Sequence, residues 1–145
     1  LLVRKEAFLL DNRLEEKLSL VVMGLIGRSH YRDEPRWDLG SLLEHLKLPL
    51  EPVQDVLTRL ERKGLIIVGC GDTQSYLPAH DIETIPLVDV IGAVRSPGGD
   101  SAQLGERFLS LPGVDEISKG IDEAMANVLK GKTVRDLVLS MEEGG

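Results

Sequence analysis

Aromatic residues, cysteine and long apolar runs are all scarce in this 145-residue chain. Aromatic side chains make up only 3% of it, so a core must be assembled from Leu, Val and Ile. Cys70 is the single cysteine, which excludes an intrachain disulfide or a metal site of several cysteines and fits a reducing, cytosolic setting. The longest apolar run, Leu20 to Ile26, is far shorter than the roughly 20 residues that a membrane-spanning helix needs.

Positive charge is also in short supply. The chain has 17 Lys and Arg against 24 Asp and Glu, which gives a net charge of -7. Broad binding to nucleic acid is driven by cations that neutralise phosphates, so this balance argues against it, although a local basic patch remains compatible. The ordinary hydrophobic fraction of 42% predicts one folded domain, or one domain with an arm.

The first amphipathic helix is predicted to begin at a capping residue, Asp11 or Asn12, and to end at Gly27. The polar stretch from Ser29 to Arg36 is then predicted to be a loop. Apolar residues at helical spacing form the core-facing stripe of this helix: Leu14, Leu18, Val21, Val22, Leu25 and Ile26.

Two shorter helices joined by a tight turn are predicted next. Asp38 is the expected cap of the earlier one, while the later one has Pro52 at its first position and Gly64 just past its end. Their apolar stripes are Leu39, Leu42, Leu43 and Leu46, then Val53, Val56, Leu57 and Leu60.

A β-hairpin and another helix complete this part of the chain. The β-branched run from Leu65 to Val68 and the segment from Ser75 to Leu77 are predicted strands around a glycine-rich turn, and Pro86 begins the next helix. Two helices, a hairpin and a helix are the order that a winged helix-turn-helix requires. The predicted fold class is therefore mainly α with a small β-hairpin, a winged helix-turn-helix over residues 13–96.

Residues 97–145 are predicted to form a linker and a C-terminal helical arm. Along this arm Ile117, Ile121, Met125 and Val128 share one face of a helix and are the candidate dimer face, although the arm could instead fold back on its own domain. Residues 1–12 form an apolar lead-in, and its pair Arg4–Lys5 is compatible with a juxtamembrane position. Because the chain starts at Leu1, we interpret it as part of a longer protein.

Three motifs carry a resemblance to known families. They are Leu57-x-x-Leu60-x-x-x-Gly64-Leu65-Ile66, Tyr76-Leu77-Pro78-Ala79 and Ile85-x-Leu87-x-Asp89-Val90-Ile91. Residues 14–96 resemble the winged-helix repressors that govern iron–sulfur and cysteine metabolism in bacteria. They also resemble the cytoplasmic C-terminal domain of YihY/BrkB membrane proteins, often labelled ribonuclease BN-like. Both resemblances imply a winged helix.

Departures from the repressor pattern favour the membrane-protein group. The repressors usually carry Gly-Gly-Tyr in the wing, where this chain has Gln74-Ser75-Tyr76, and their cluster-binding members need several cysteines where this chain has only Cys70. The apolar lead-in with Arg4–Lys5 is similar to the exit from a final membrane helix. One departure touches both groups, since Pro86 stands where the helix cap is usually Thr.

The third helix, residues 51–63, would enter the major groove if the chain binds DNA. Gln54, Thr58 and Arg59 are then the candidate base-reading residues, and Arg62 is a candidate phosphate contact. Glu51 and Asp55 at the leading end of this helix, and a wing that has Asp72 but no Lys or Arg, argue against tight binding.

No catalytic, cofactor or metal site is predicted. His30, His45 and His80 lack the spacing of a helical metal pair, and each is expected to be solvated, His30 and His80 in loops. The favoured hypothesis is a non-catalytic interaction and dimerisation module on the cytoplasmic side of the bacterial membrane, self-associating or contacting a protein partner at the membrane face. The alternative is a soluble, cytoplasmic, dimeric DNA-binding transcriptional regulator.

Overall fold

The computed structural model of the chain describes residues 11–71, 73–95 and 100–143. The helix-turn-helix and wing consist of α1 (Asn12–Tyr31), α2 (Leu39–Leu46), α3 (Leu50–Arg62), β1 (Ile66–Gly69) and β2 (Ser75–Pro78). A short 3-10 turn (Ile82–Thr84) and four more helices follow: α4 (Leu87–Arg95), α5 (Asp100–Leu109), α6 (Pro112–Val128) and α7 (Val134–Glu143). This order confirms the predicted fold, a mainly helical winged helix-turn-helix with a small hairpin.

Local sequence signals set the turn of the helix-turn-helix. The Asp38 carboxylate accepts a hydrogen bond from the Ser41 amide at 2.7 Å, and the Ser41 hydroxyl accepts one from the Asp38 amide at 3.0 Å. This reciprocal cap begins α2, and Lys47, with a left-handed φ of 58°, ends it. Pro52 was predicted at the first position of α3 but is its third residue, where its missing N–H still lacks an intrahelical partner.

The prediction that Gly27 ends the first helix is wrong, because α1 continues to Tyr31. A Cβ atom at Gly27 would lie only 2.9 Å from Val134 Cγ1 and 3.3 Å from Val138 Cγ2. Glycine at this position therefore allows α7 to pack closely against α1. The loop predicted from Ser29 consequently begins later, after α1.

The wing is an antiparallel pair that is attached to the start of α2. Its register pairs Ile66 with Pro78 and Gly69 with Ser75. The Tyr76 amide donates to the Trp37 carbonyl at 2.9 Å, so the residues before α2 run alongside β2. The position of the wing is thus fixed relative to the helix-turn-helix.

The last helix, α7, belongs to the same hydrophobic core as the winged helix. Val134 and Val138 are fully buried in that core. The Val134 amide donates to the Ile85 carbonyl, and the Leu87 amide donates to the Lys132 carbonyl, each at 2.9 Å. The division at residue 96 stays a prediction. Residues 1–10 of the predicted lead-in, and residues 96–99 at the start of the predicted linker, lie outside the described residues.

The arm between α4 and α7 contrasts with this core. No residue of α6 is buried, and the arm ends near Gly131, whose φ of +75° stops the helical path. Large apolar side chains are exposed along it: Leu104, Phe108, Leu109, Leu111, Val114, Ile117, Ile121 and Val128. Because α5 and α6 pack so little on the body, the arm presents a large apolar surface to solvent.

Candidate nucleic-acid interface

Helix α3 places three of the four predicted DNA-contacting residues in solvent. Gln54, Thr58 and Arg62 are exposed on the side of the helix that faces away from the core, together with Glu51 and Asp55. The Thr58 hydroxyl donates to the carbonyl of Gln54 at 2.9 Å, a bond within the helix that leaves its lone pairs outward. The exposed face of α3 is thus polar and of mixed charge.

Arg59, the fourth predicted residue, is held against the body of the domain. Its Nη1 donates to the Val94 carbonyl of α4 at 2.7 Å, and its Nε lies 3.2 Å from Asp55 Oδ2. Nη1 also lies 3.7 Å from Glu15 Oε2 on α1, and the side chain is only 24% exposed. The structure therefore separates Arg59 from the exposed polar set, since its guanidinium is already hydrogen-bonded inside the domain.

The pairing of Arg59 also changes the charge at the leading end of α3. Two carboxylates, Glu51 and Asp55, were expected to repel phosphates there. Because Asp55 forms an ion pair with Arg59, one of these two charges is locally compensated. The remaining wing acid, Asp72, lies outside the described residues.

Arg36 is a cation near the wing that the sequence analysis missed. A Cβ atom at Gly69 of β1 would lie 3.1 Å from Arg36 Nη1 and 3.4 Å from Ser75 Oγ, so the guanidinium lies over the hairpin. The wing strands carry no Lys or Arg of their own, and this cation comes from the loop before α2. No local signal in the sequence indicates this contact, since Gly69 falls in the predicted glycine-rich turn and Arg36 in a separate predicted loop.

Tyr76 of β2 is the second polar side chain at the base of the wing. Burial raises the pKa of its phenol, and the negative charges of Glu61 and Asp38 raise it further. The neutral, hydrogen-bonding form of Tyr76 is therefore stabilised at physiological pH.

The predicted dimer face on α6 is mostly open. Ile117 and Val128 are each 68% exposed, and Ile121 is exposed as well. Met125 is half-buried because Arg95 Nη1, at the end of α4, lies 3.0 Å from its Sδ. Of these four residues, only Met125 is partly covered by another described element, the end of α4, and the use of this face in a dimer stays a prediction.

The histidines are separated from one another. His30 lies in the last turn of α1 rather than in the predicted loop, His45 is edge-on to Trp37 at 5.1 Å between ring centroids, and His80 is exposed. In the described ranges no three His, Cys, Asp or Glu side chains are grouped as a metal ion would require. Cys70 is exposed.

Solved structures of transcriptional regulators share this fold. The global cysteine regulator CymR of B. subtilis matches with a TM-score of 0.62 and 19% identity, over 87% of this chain and 94% of its own. CymR of Staphylococcus aureus matches with a TM-score of 0.63 and 18% identity, over 86% of this chain and 95% of its own. IscR of T. potens matches with a TM-score of 0.63 and 15% identity, over 94% of this chain and 90% of its own.

The resemblance to winged-helix repressors thus extends to the fold, whereas the resemblance to YihY/BrkB membrane proteins has no support. No family model matches the chain, and no curated protein matches it. Among residues 11–71, 73–95 and 100–143, every helix is too short or too polar to cross a membrane.

Proposed function

We propose that the chain is a cytoplasmic, dimeric, DNA-binding transcriptional regulator. The observation that carries this proposal is the extent of the structural match. The two cysteine regulators and T. potens IscR are each matched over 90–95% of their own length, so the similarity includes the arm as well as the winged helix. Winged helices alone serve many functions, so the proposal rests on the match over nearly the whole length of these regulators, and its dimeric part on the prevalence of symmetric pairs among soluble oligomers.

In the proposed complex, α3 lies in the major groove. Gln54 and Thr58 would contact base edges, while Arg62 and Arg36 would contact phosphates on either side of the helix. Arg59 is not in this set because its guanidinium is bonded to the Val94 carbonyl. With two phosphate cations, and with Glu51 as the uncompensated acid at the leading end of α3, we expect moderate affinity with a marked salt dependence.

Dimerisation is assigned to α6, whose apolar residues follow the heptad spacing of a two-helix seam. The seam residues are Val114, Ile117, Ile121, Ala124 and Val128, at intervals of three and four. Gly113 and Gly120 flank the seam, and a Cβ at either would meet nothing within 4 Å, so a second helix has room to approach. The charged residues lie off the seam: Asp115, Glu116, Lys119, Asp122 and Glu123.

The DNA-binding proposal is tested by selecting sequences from a random duplex library at low salt and then titrating salt. Arg62→Ala and Arg36→Ala should each weaken binding and each reduce the slope of log K against log salt by about 2, because the dimer loses one phosphate contact from each protomer. Lys130→Ala is the matched control, since it removes the same charge from an exposed lysine beyond α6. Failure of the chain to retain any duplex at low salt would refute the proposal and leave the interaction module as the better hypothesis.

A further inference from the structure

Arg59 and Arg95 connect four helices at one point of the molecule. Val94 and Arg95 are the last two residues of α4. Val94 is joined to α3, and Arg95 is joined to α1 and α6. The junction consists of Glu15, Glu16, Arg59, Val94, Arg95 and Asp122. We use the name interhelical junction for these six residues.

One half of the interhelical junction holds α3 in place. Arg59 extends from α3 and donates to the Val94 carbonyl at 2.7 Å, one of the terminal carbonyls that α4 itself cannot satisfy. Its positive charge also lies at the C-terminal, partly negative end of α4, where a cation is stabilising. Glu15 of α1 lies 3.7 Å from the same nitrogen, so Arg59 joins α3 to both α4 and α1.

The other half holds the arm. Arg95 Nε lies 3.8 Å from Glu16 of α1, and its Nη1 lies 3.8 Å from Asp122 and 3.0 Å from Met125 Sδ, both on α6. Because Glu15 and Glu16 are consecutive, the two arginines are anchored on adjacent residues of α1. The guanidinium of Arg95 is therefore a direct link between the body and the proposed dimer helix.

We propose that the interhelical junction sets the orientation of α3 relative to α6, and thereby the separation of the two recognition helices in the dimer. Arg59 and Arg95 are positioning residues in this role, and neither contacts a base. The inference depends on the proposed dimer through α6. In dimeric helix-turn-helix proteins the two recognition helices must be about 34 Å apart to reach successive major grooves, so a small rotation at the junction changes which half-site spacing fits.

Partial burial makes the junction stiff enough for this role. The side chains of Arg59 and Arg95 are 24% and 34% exposed, and those of Glu15 and Glu16 are 26% and 32% exposed. Ion pairs at such sites are screened less than those on the open surface, and each arginine, once ordered by one partner, meets the next at little further entropic cost. Asp122 is the weakest member because its side chain is 66% exposed.

The test measures the distance between the two α3 helices of the dimer by pulsed electron paramagnetic resonance. Thr58→Cys in a Cys70→Ser background places one nitroxide per protomer on the exposed face of α3, outside the hydrogen bonds and ion pairs of the junction. We expect a single narrow distance distribution in this parent. Arg59→Ala and Arg95→Ala should each broaden this distribution. Arg95→Lys and Asp122→Asn should each broaden it less than Arg95→Ala does.

Arg62→Ala is the matched control, because it removes an exposed arginine from α3 and should leave the distribution unchanged. Asp122→Asn guards against misfolding, since it alters only an exposed residue of α6. Unchanged distributions in all junction variants, with the dipolar signal intact, would overturn the inference and leave the dimer standing. Loss of the dipolar signal in the parent itself would overturn the dimer, and this inference with it.

Discussion

At the scale of single residues, Gly27 decides how closely α1 and α7 approach. Val134 and Val138, the residues that a Cβ at Gly27 would meet, are completely buried and cannot move outward freely. We expect Gly27→Ala to destabilise the fold by about 1–2 kcal/mol, because overpacking outweighs the better helix propensity of alanine. Gly92→Ala in α4 is the control, where a Cβ meets nothing and a gain of up to about 1 kcal/mol is expected.

The free energy of unfolding of both glycine variants is compared from the urea concentrations at their unfolding midpoints, under the same conditions. If Gly27→Ala is as stable as the parent, α7 does not pack closely against this part of α1.

Glu142 of α7 contributes to the acid dependence of stability through its ion pair with Arg32. Arg32, just after α1, donates a hydrogen bond to its carboxylate, and this bond lowers the pKa of Glu142 below its usual 4.5. A carboxyl with a lowered pKa in the folded state stabilises the fold above its unfolded value, and that contribution is lost as pH falls through the folded value. Below pH 4.5 the melting temperature of Glu142→Gln should therefore fall less than that of the parent.

Melting curves across the acid range check this expectation, with Glu123→Gln on the outward side of α6 as the control. Equal acid sensitivity of Glu142→Gln and the parent would contradict it.

Residue-level predictions from the sequence succeed where the partner is close along the chain. The caps at Asp11 and Asp38 were predicted because each bonds an amide three residues away. The role of Arg59 was not, because its partner Val94 is 35 positions distant and helical spacing alone assigns Arg59 to the exposed side of α3. Arg36 was missed for the same reason, since nothing local indicates that it lies beside Gly69.

At the scale of elements, α6 carries the clearest expectation. Ile121 is exposed near the middle of its apolar seam, so Ile121→Glu should place a carboxylate in the proposed interface. Burying an unpaired charge costs several kcal/mol, which is enough to dissociate a small helical dimer. Ala126→Glu adds the same charge on the opposite side of the helix and should remain dimeric.

Size-exclusion chromatography with light scattering distinguishes the two variants of α6. If Ile121→Glu is still a dimer at micromolar concentration, α6 is not part of the dimer interface.

The hydrophobic periodicity of the sequence predicts the helices, but not how they pack against one another. The stripe Val53, Val56, Leu57 and Leu60 is buried as predicted, because burial within an amphipathic helix follows directly from its 3.6-residue repeat. Helix α7 was predicted only as part of the C-terminal helical arm, yet it extends from Val134 to Glu143 and packs on the glycines of α1. Such docking depends on the shapes of two distant segments, which the pattern within either one does not contain.

At the scale of the whole molecule, the core is built from two separated parts of the sequence. Residues 11–95 form the winged helix, α7 completes its core, and the arm departs and returns between them. The Lys132 carbonyl bonds to the Leu87 amide at the start of α4, so the arm returns about one α4 length, roughly 13 Å, from where it departs at Arg95. The fold therefore needs α7 but does not need the arm.

Two deletions separate these roles. Replacing residues 97–131 by about eight Gly and Ser residues, long enough to span the gap, should give a folded monomer with cooperative unfolding. Ending the chain after Arg95 exposes the core surface that Val134 and Val138 cover, a loss of about 3–6 kcal/mol against a typical total of 5–15 kcal/mol, so this shorter chain should unfold at a much lower urea concentration. Circular dichroism with urea titration compares the two, and a 1–95 chain that unfolds at the same urea concentration as the chain with residues 97–131 replaced would show that α7 is an accessory to the winged helix rather than part of its core.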